Sequence, residues 1–565
     1  MPRPLKIATL TFSFVLLMVS YAHAGHINNR NGISHVLLIS IDGMHAADYT
    51  NCIQGGYCPT LEALGATGAN YTRTSASKPS DSFPGLMAMV TGGTPRTVGA
   101  FYDVAYDRVL APPQNDTGNG VAGGTCVAGV ANGTTTEYEE GVDIDQTKLN
   151  GGGPYTLTDG GIKSIDATRL PRDPFNNCSP VYPWNFVRTN TIYGVIHASG
   201  GYTAWADKHP VYAAVSGPST DASNVDDYYS PEINSNVIAL PGVTTATGFS
   251  CSPSRDQAQT EAWTDSFTNI QCYDALKVNA VLNQIDGKTH DGAHQAPVPT
   301  LFGMNFQAVS VGQKLIEKID STTKIIGGYT DAAGTPSASL KDEIKFVDAS
   351  ISQMVAKLRQ NGLMNSTLII VTAKHGQSPI DPLRFKKLGA GISTTPADVI
   401  APYLPFSESP ANPTGIGPTQ DDISLLWLSH SSDTLTAVGL LETSADAAGI
   451  GQIFYGPSLE TMFNAPGLPP NGDPRSPDII VQPYVGVIYT GSSKKQAEHG
   501  GFAHDDTNVM LLLSNPRWPA STVTSFVETT QVAPTILSAL GVAPTSLDAV
   551  EKEGTPVLPG LPLKP

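Results

Sequence analysis

Two residues with metal-binding side chains follow apolar segments that are typical of buried strands. Asp42 follows His35–Ile41, and His375 comes three residues after Thr367–Thr372. Segments of this length and composition fit central strands that are covered on both faces. The carboxyl ends of parallel strands meet at one edge of a sheet, where functional sites form. We therefore expect Asp42 and His375 to share a divalent metal ion, the alternatives being an ordinary Asp-Gly turn and a structural histidine.

A third candidate is Ser82, in the segment Lys78-Pro-Ser-Asp-Ser-Phe-Pro-Gly85. The apolar stretch Leu86–Val90 predicts a helix, and Pro84 suits its first turn. A hydroxyl at the start of a helix lies at the positive end of the helix dipole, which stabilises an alkoxide and binds anionic oxygens. Ser82 is therefore a candidate nucleophile. The alternative is that Ser82, or one of the two residues before it, only caps the helix.

Two late histidines complete the candidate ligands. His499 and His504 lie in Glu498-His-Gly-Gly-Phe-Ala-His-Asp-Asp506, just before a third apolar segment, Asn508–Ser514. Histidines near strand ends suit zinc binding and hydrolytic chemistry. One of the two is expected to be a metal ligand, and the sequence leaves the choice open.

The elements that must position these residues are also indicated by the sequence. Before the second predicted strand, apolar residues recur at spacings of three and four, which predicts an amphipathic helix that ends at Asn361-Gly362. They are Leu340, Ile344, Val347, Ile351, Val355 and Leu358. Helix followed by buried strand predicts an α/β fold: a doubly wound, mostly parallel central sheet with helices on both faces. The sequence predicts one domain over residues 25–565. Long irregular insertions are expected in it at residues of about 103–185, 210–300 and 376–480.

Composition and charge exclude several classes of protein. The 565 residues carry a formal net charge of −17 and include 40% hydrophobic and 15% charged residues. This composition excludes a coiled coil, a disordered acidic chain and a multi-span membrane protein. The acidic balance also argues against a nucleic-acid polymer as partner. A small phosphorylated substrate, drawn to a locally positive site, is compatible with it.

The N-terminus and the cysteines predict an exported protein. Arg3 and Lys6 precede the apolar stretch Ile7–Val19, and Ala22-His-Ala24 is suited to cleavage, so residues 1–24 are a predicted signal peptide. We expect a periplasmic or secreted protein with no membrane anchor. Six cysteines in such a chain predict disulfides. Of the 15 possible pairings, sequence neighbours would give Cys52–Cys58, Cys126–Cys178 and Cys251–Cys272.

The combination of motifs resembles the alkaline phosphatase superfamily, and in particular its type I phosphodiesterase/nucleotide pyrophosphatase branch. The segment Gln531–Gly541 resembles the helix that follows the last core strand in these enzymes. The resemblance covers residues of about 34–102, 186–209, 300–380 and 485–545.

The resemblance implies roles for the candidate residues. Asp42 and His375 would bind the same metal ion, Ser82 would be the nucleophile, and either His499 or His504 would be the last histidine ligand. The expected cofactor is a divalent metal, with zinc the first choice and one or two ions bound.

A further segment would contact the substrate. Gly201-Tyr-Thr-Ala-Trp-Ala-Asp-Lys-His209 resembles a sulfatase segment whose lysine and histidine contact the anionic substrate. This likeness gives Lys208 and His209 a substrate-binding role. Asn305, in the segment Asn305-Phe-Gln-Ala-Val309, is given the same role.

Three positions depart from the family pattern. Lys374 stands where the family has Asp, Asn305-Phe-Gln-Ala-Val309 stands where it has Asp-x-x-x-His, and Gly85 stands where it has Asn. The ammonium of Lys374 would supply fixed charge in place of an ion, which makes it a candidate catalytic residue and favours a single ion. Asp207, His209 and His504 are the candidate replacement ligands.

The sequence therefore predicts an exported metal-dependent hydrolase of phosphate esters with a serine nucleophile. One alternative is a phosphonate hydrolase or a sulfatase-like enzyme, although the Cys-x-Pro-x-Arg of sulfatases is missing at Ser82. Another is a non-catalytic binding protein on a degenerate phosphatase scaffold. The sequence names neither the substrate nor the oligomeric state.

Overall fold

The computed structural model describes residues 27–564, except residues 28, 118–119, 139–161, 163–164, 235–242, 252–262, 390–393 and 406–418. The predicted signal peptide, residues 1–24, lies outside the described residues. Within the described part of the chain, every helix is too short or too polar to cross a membrane.

A nine-stranded sheet forms the centre of the fold. In chain order its strands are β1 His35–Ile41, β2 Gly68–Ser75, β3 Ala204–Ala206, β4 Asp227–Tyr229, β5 Leu301–Phe306, β6 Thr367–Thr372, β7 Asn508–Ser514, β8 Ser521–Val523 and β9 Val527–Glu528. Eight strands follow the order β8-β2-β7-β6-β1-β5-β3-β4, and β9 pairs with β2. Every pair is parallel except those that β7 makes with β6 and β2. The predicted mostly parallel sheet is confirmed.

The strands are continuous apolar segments because both faces of the sheet are covered. In β1, Val36 and Leu38 pack into the core on one face, while Leu37 and Ile39 pack into the core on the other. The three strands predicted from the sequence, β1, β6 and β7, have the predicted bounds. Because β7 runs against its neighbours, its first residues lie at the same edge as the carboxyl ends of β1 and β6.

Helices cover both faces, as a doubly wound fold requires. They are α1 Ala46–Gln54, α2 Pro59–Gly65, α3 Ser82–Thr91, α4 Pro95–Val98, α5 Pro183–Phe186, α6 Ile192–Ala198, α7 Phe267–Ile285, α8 Ala308–Lys314, α9 Ala338–Gln360, α10 Pro396–Val399, α11 Thr434–Thr443, α12 Pro457–Glu460, α13 His504–Thr507, α14 Val532–Ala539 and α15 Asp548–Glu553. Residues of α3, α6 and α14 pack on one face, and residues of α1, α2, α7, α8 and α9 pack on the other. The predicted helix is α9, and all six of its periodic residues are buried.

Smaller sheets lie outside the central one. Two-stranded sheets pair Val104–Asp107 with Thr134–Glu137, Arg172–Asp173 with Ser179–Pro180, Ile316–Lys318 with Lys324–Ile326, and Lys386–Leu388 with Val487–Tyr489. A four-stranded sheet joins Thr419–Gln420, Ser424–Leu426, Ile450–Tyr455 and Ile479–Pro483. This four-stranded sheet contributes to two further apolar clusters.

Residues 210–300 contain more regular structure than the sequence predicts. They supply the edge strand β4 and the 19-residue helix α7. The apolar pattern of α7 is interrupted because the helix buries an ion pair, with Lys277 Nζ 3.0 Å from Asp274 Oδ1. Polar residues inside the core hide the periodicity that would otherwise reveal the helix.

Three disulfides join neighbouring cysteines. They are Cys52–Cys58, Cys126–Cys178 and Cys251–Cys272, with Cα–Cα distances of 5.4, 6.0 and 5.9 Å. The predicted pairing is confirmed.

Candidate active site

Ser82 is the first residue of α3, and its side chain is buried. The helix is capped by Asp81, whose Oδ2 accepts a hydrogen bond from the N–H of Phe83 at 3.1 Å. Ser80 is engaged elsewhere, because its Oγ donates to the carbonyl oxygen of Asp506 at 2.6 Å. The capping role belongs to Asp81, which leaves the hydroxyl of Ser82 available to the site.

Three side chains from different parts of the sheet meet at Ser82. His375 Nε2 lies 3.2 Å from Ser82 Oγ, and Lys208 Nζ donates to the same oxygen at 3.2 Å. Asp42 Oδ2 lies 3.5 Å from Ser82 Oγ and 3.7 Å from His375 Nε2. The edge formed by the ends of β1, β3 and β6 therefore brings together the predicted nucleophile, both predicted strand-end ligands and a lysine.

The two active-site histidines pack against each other. The Nδ1 of His375 lies 2.9 Å from the carbonyl oxygen of Gly376, so we assign its proton to Nδ1, which directs the lone pair of Nε2 towards Ser82. The rings of His375 and His499 have centroids 4.1 Å apart. His504, by contrast, is exposed at the start of α13. Of the two late histidines, the structure brings His499 to the site.

The carboxylate of Asp42 is buried among amides and cations. Its Oδ2 accepts hydrogen bonds from Asn305 Nδ2 at 3.2 Å and Gln307 Nε2 at 2.6 Å. Burial acts to raise the pKa of Asp42, but the charge of Lys374 holds it well below its usual value. Asp42 Oδ1 and Asn305 Oδ1 are buried and have no hydrogen-bond partner. Asp42 is therefore an anion with coordinating capacity left over.

Lys374 lies in the site but does not point at Ser82. Its ammonium binds both carboxylate oxygens of Asp207, at 3.0 and 3.1 Å, and lies 4.3 Å from the ring centroid of Tyr212. Asp207 also accepts a hydrogen bond from Trp205 Nε1 at 2.9 Å. A carboxylate bound in this way by an ammonium is a poor candidate for a metal ligand. The two residues instead neutralise each other in the interior.

The two residues that follow Asp207 in the sequence differ in their contacts. Lys208 is directed at Ser82, whereas His209 turns away and binds the carboxylate of Glu232, with 2.9 Å between Nδ1 and Oε1. His209 is 1% exposed and packs on Tyr212. Both residues also line a cavity, together with Gln307 and His499.

Gln307 and a buried ion pair support Asp42, and the sequence interpretation did not assign them roles. Asp274 Oδ2 accepts hydrogen bonds from the N–H groups of Gln307 and Ala308, each at 2.8 Å. Lys277 Nζ donates to the carbonyl oxygen of Asn305 at 2.6 Å. Together they hold the turn after β5 whose amides bind Asp42. The sequence feature that could have indicated this support is the polar residue Gln307, which directly follows an apolar strand.

A cavity of about 580 Å³ opens beside these residues. Its wall includes Lys208 and His499 from the site and further lysines, Lys314, Lys494 and Lys495. The same wall carries five carboxylates, those of Asp103, Glu137, Asp265, Asp421 and Glu498, and Lys494 and Lys495 pair with two of them. The cation of the cavity that faces Ser82 is therefore Lys208.

The sequence matches the family model of type I phosphodiesterase / nucleotide pyrophosphatase over residues 36–132 and 220–392. The match covers just under half of the chain and confirms the predicted resemblance to this family. The chain is therefore a phosphoric ester hydrolase. The match includes Asp42, Ser82, Asn305 and His375, which form the cluster described above.

Solved structures of relatives are also similar. Murine ectonucleotide pyrophosphatase / phosphodiesterase 5 is 12% identical, with a TM-score of 0.48 and coverage of 90% of this chain and 95% of that chain. An inactive variant of the murine protein in complex with AMP is 13% identical, with a TM-score of 0.49 and coverage of 90% and 96%. The human protein is 12% identical, with a TM-score of 0.49 and coverage of 90% and 95%. No curated protein sequence gives a significant match.

Members of this family typically depend on divalent metal ions, and the donors present here fit one ion. Ser82 Oγ, Asp42 Oδ2 and His375 Nε2 are 3.2 to 3.7 Å from one another. Ligands of a tetrahedral zinc ion, at ~2.0 Å from the metal, are separated by roughly 3.3 Å. The unpartnered Oδ1 of Asp42 adds a further acceptor. Within the described residues, no group of three His, Cys, Asp or Glu side chains is arranged as a metal site, so the serine would complete the set.

Proposed function

We propose that this hydrolase is exported and metal-dependent, and that it cleaves phosphate esters with Ser82 as its nucleophile. The observation that supports this role is the position of Ser82 Oγ, at the start of α3 and 3.2 Å from both His375 Nε2 and Lys208 Nζ. An activated serine needs a nearby positive charge and a fixed orientation, and both are present.

The reaction would proceed in two displacements. Ser82 Oγ attacks the phosphorus in line with the leaving oxygen, so that the Oγ–P bond forms as the bond to the leaving oxygen breaks. The serine hydroxyl releases its proton, and the leaving oxygen takes up one proton to become an alcohol. Water then attacks the phosphoserine, and Ser82 Oγ leaves with a proton from the solvent. A divalent ion bound by Asp42, His375 and Ser82 would supply Lewis acidity towards the phosphoryl oxygens.

The protein's own residues orient the reacting groups. Asn305 and Gln307 fix the carboxylate of Asp42, and the N-terminal dipole of α3 favours negative charge at Ser82. The buried position of these groups keeps bulk water from weakening their interactions. The cavity lined by Lys208, His209 and His499 has the volume for a small phosphorylated substrate, and Lys208 joins it to Ser82.

Export is supported by the sequence of residues 1–24 and by the three disulfides. Disulfides persist in oxidising compartments, such as the bacterial periplasm and the extracellular space. N-terminal sequencing of protein recovered from the periplasm or the medium tests the proposal, and Gly25 is the expected first residue.

The nucleophile is tested with a generic aryl phosphodiester. Ser82→Ala should reduce turnover by ~10³-fold or more, because one serine forms the covalent intermediate. Ser80→Ala is the matched control, since that hydroxyl is bound to the Asp506 carbonyl, and it should keep most activity. Mass spectrometry of quenched turnover should find phosphate on Ser82. A damaging Ser80→Ala and a mild Ser82→Ala would refute the assignment.

A further inference from the structure

A second metal ion, if this chain bound one, would lack most of its ligands. Val309 stands where the family pattern has His, and its side chain is fully buried in the apolar core. Asn305 stands where the pattern has Asp, and its amide donates to Asp42. Of the three positions that the family pattern gives to this ion, here Asn305, Val309 and His499, only the last has a side chain that can coordinate zinc. One histidine does not hold a zinc ion in a protein.

The start of α3 offers few other donors to a phosphoryl oxygen. The N–H of Phe83 is bound by the Asp81 carboxylate, and Pro84 has no N–H. The N–H of Gly85 donates to the carbonyl oxygen of Asp81 at 2.8 Å. A Cβ at Gly85 would lie 2.3 Å from the carbonyl oxygen of Lys374, so a side chain such as the Asn of the family pattern has no room there.

One cation does face the nucleophile. Lys208 Nζ lies 3.2 Å from Ser82 Oγ, and the residue is only 8% exposed. Its backbone N–H donates to Asp207 Oδ1 at 2.9 Å. Asp207 is in turn held by the ammonium of Lys374. The Lys374–Asp207 pair therefore positions Lys208, and the charge that reaches Ser82 is that of Lys208.

We infer that Lys208 takes the place of a second metal ion in this enzyme, which then works with a single ion per chain. This role depends on Ser82 being the nucleophile, as proposed above. The ammonium keeps its proton throughout the reaction. It stabilises negative charge on Ser82 Oγ as the Oγ–P bond forms, and on the same oxygen as water later displaces it.

Lys208→Met and Lys208→Arg test this role, with the exposed Lys345→Ala as the control. Elemental analysis should find one divalent ion per chain in the wild type and in both Lys208 variants. Removing one preorganised donor costs ~10²–10³-fold in turnover, so Lys208→Met should lose that much. Its affinity for orthovanadate, measured by calorimetry on the metal-loaded protein, should fall by a similar factor. Lys208→Arg keeps the charge and should retain more turnover than Lys208→Met.

Two results would overturn the inference. One is two tightly bound ions per wild-type chain, both needed for activity. The other is a Lys208→Met variant that binds orthovanadate as tightly as the wild type. If Ser82 still becomes phosphorylated in that case, only the role of Lys208 fails. If Ser82→Ala remains active and no phosphoserine forms in the wild type, the proposed nucleophile itself is wrong.

Discussion

Lys374→Met removes one partner of a fully buried ion pair and leaves the shape of the side chain nearly unchanged. Lys374 and Asp207 are both 0% exposed, and the ammonium contacts both carboxylate oxygens. Removing one partner of such a pair costs about 3–5 kcal/mol, because the remaining charge is uncompensated. Asp207 keeps its hydrogen bonds from Trp205 and Lys208, so we expect a loss near the lower bound. Set against a typical stability of about 5–15 kcal/mol, this is a large effect.

Equilibrium urea unfolding measures the loss, and a double-mutant cycle isolates the pair. Asp207→Asn removes the opposite charge, so the double variant should lose less free energy of unfolding than the sum of the two single variants, by about 1–3 kcal/mol. The control is Lys345→Ala, which removes an exposed pair with Asp342 and should cost no more than about 0.5 kcal/mol. A Lys374→Met variant within about 1 kcal/mol of the wild type, or additive single variants, would refute the buried pairing.

Two further predictions concern other parts of the fold. Burial raises the pKa of Asp473, but its hydrogen bonds with Arg188 and the charge of that guanidinium lower it to about 2. The ionised carboxylate stabilises the fold at pH values above the unfolded pKa of ~3.9, and this stabilisation is lost as the pH falls through 2. In urea unfolding, Asp473→Asn should therefore cost about 2 kcal/mol at pH 7 and almost nothing near pH 2. Equal losses at the two pH values would contradict this. Replacing both cysteines of Cys126–Cys178 by serine, across a separation of 52 residues, should cost more than the same change at Cys52–Cys58, across 6. We expect about 4 against about 2 kcal/mol, and the reverse order would contradict the loop-closure reasoning.

The parts of this fold that the sequence predicted depend on local patterns. The buried strands β1, β6 and β7 and the helix α9 follow from uninterrupted apolar segments and from spacings of three and four. Asp42, Ser82 and His375 could be placed together because each lies at the end of an element, and a parallel sheet aligns such ends. The strand β4 and the helix α7 were missed, since one is three residues long and the other carries a buried ion pair.

The interactions that the sequence could not supply are between residues far apart in the chain. Lys374 and Asp207 are separated by 167 residues, and Gln307 and Asp42 by 265. Neither pair follows from periodicity or from end-of-strand position. Both pairs depend on the order of the strands in the sheet. Gln307 and Asp42 follow the adjacent strands β5 and β1, whereas Asp207 and Lys374 follow β3 and β6, which are separated by β1 and β5. Strand order is a property of the whole fold, and the three apolar segments identified in the sequence do not determine it.

The contact between Lys374 and Asp207 changes the role that the sequence gave to Lys374. The sequence interpretation gave Lys374 the role of a replacement ion, because it stands at a ligand position beside His375. In the structure the ammonium of Lys374 is bound by Asp207 and is not directed at Ser82. The next residue, Lys208, has its ammonium on Ser82 instead, and its backbone is bonded to the carboxylate that Lys374 neutralises. Lys374, at a position where the family pattern has Asp, therefore offers no lone pair to a metal ion and, through Asp207, holds in place the cation that faces Ser82.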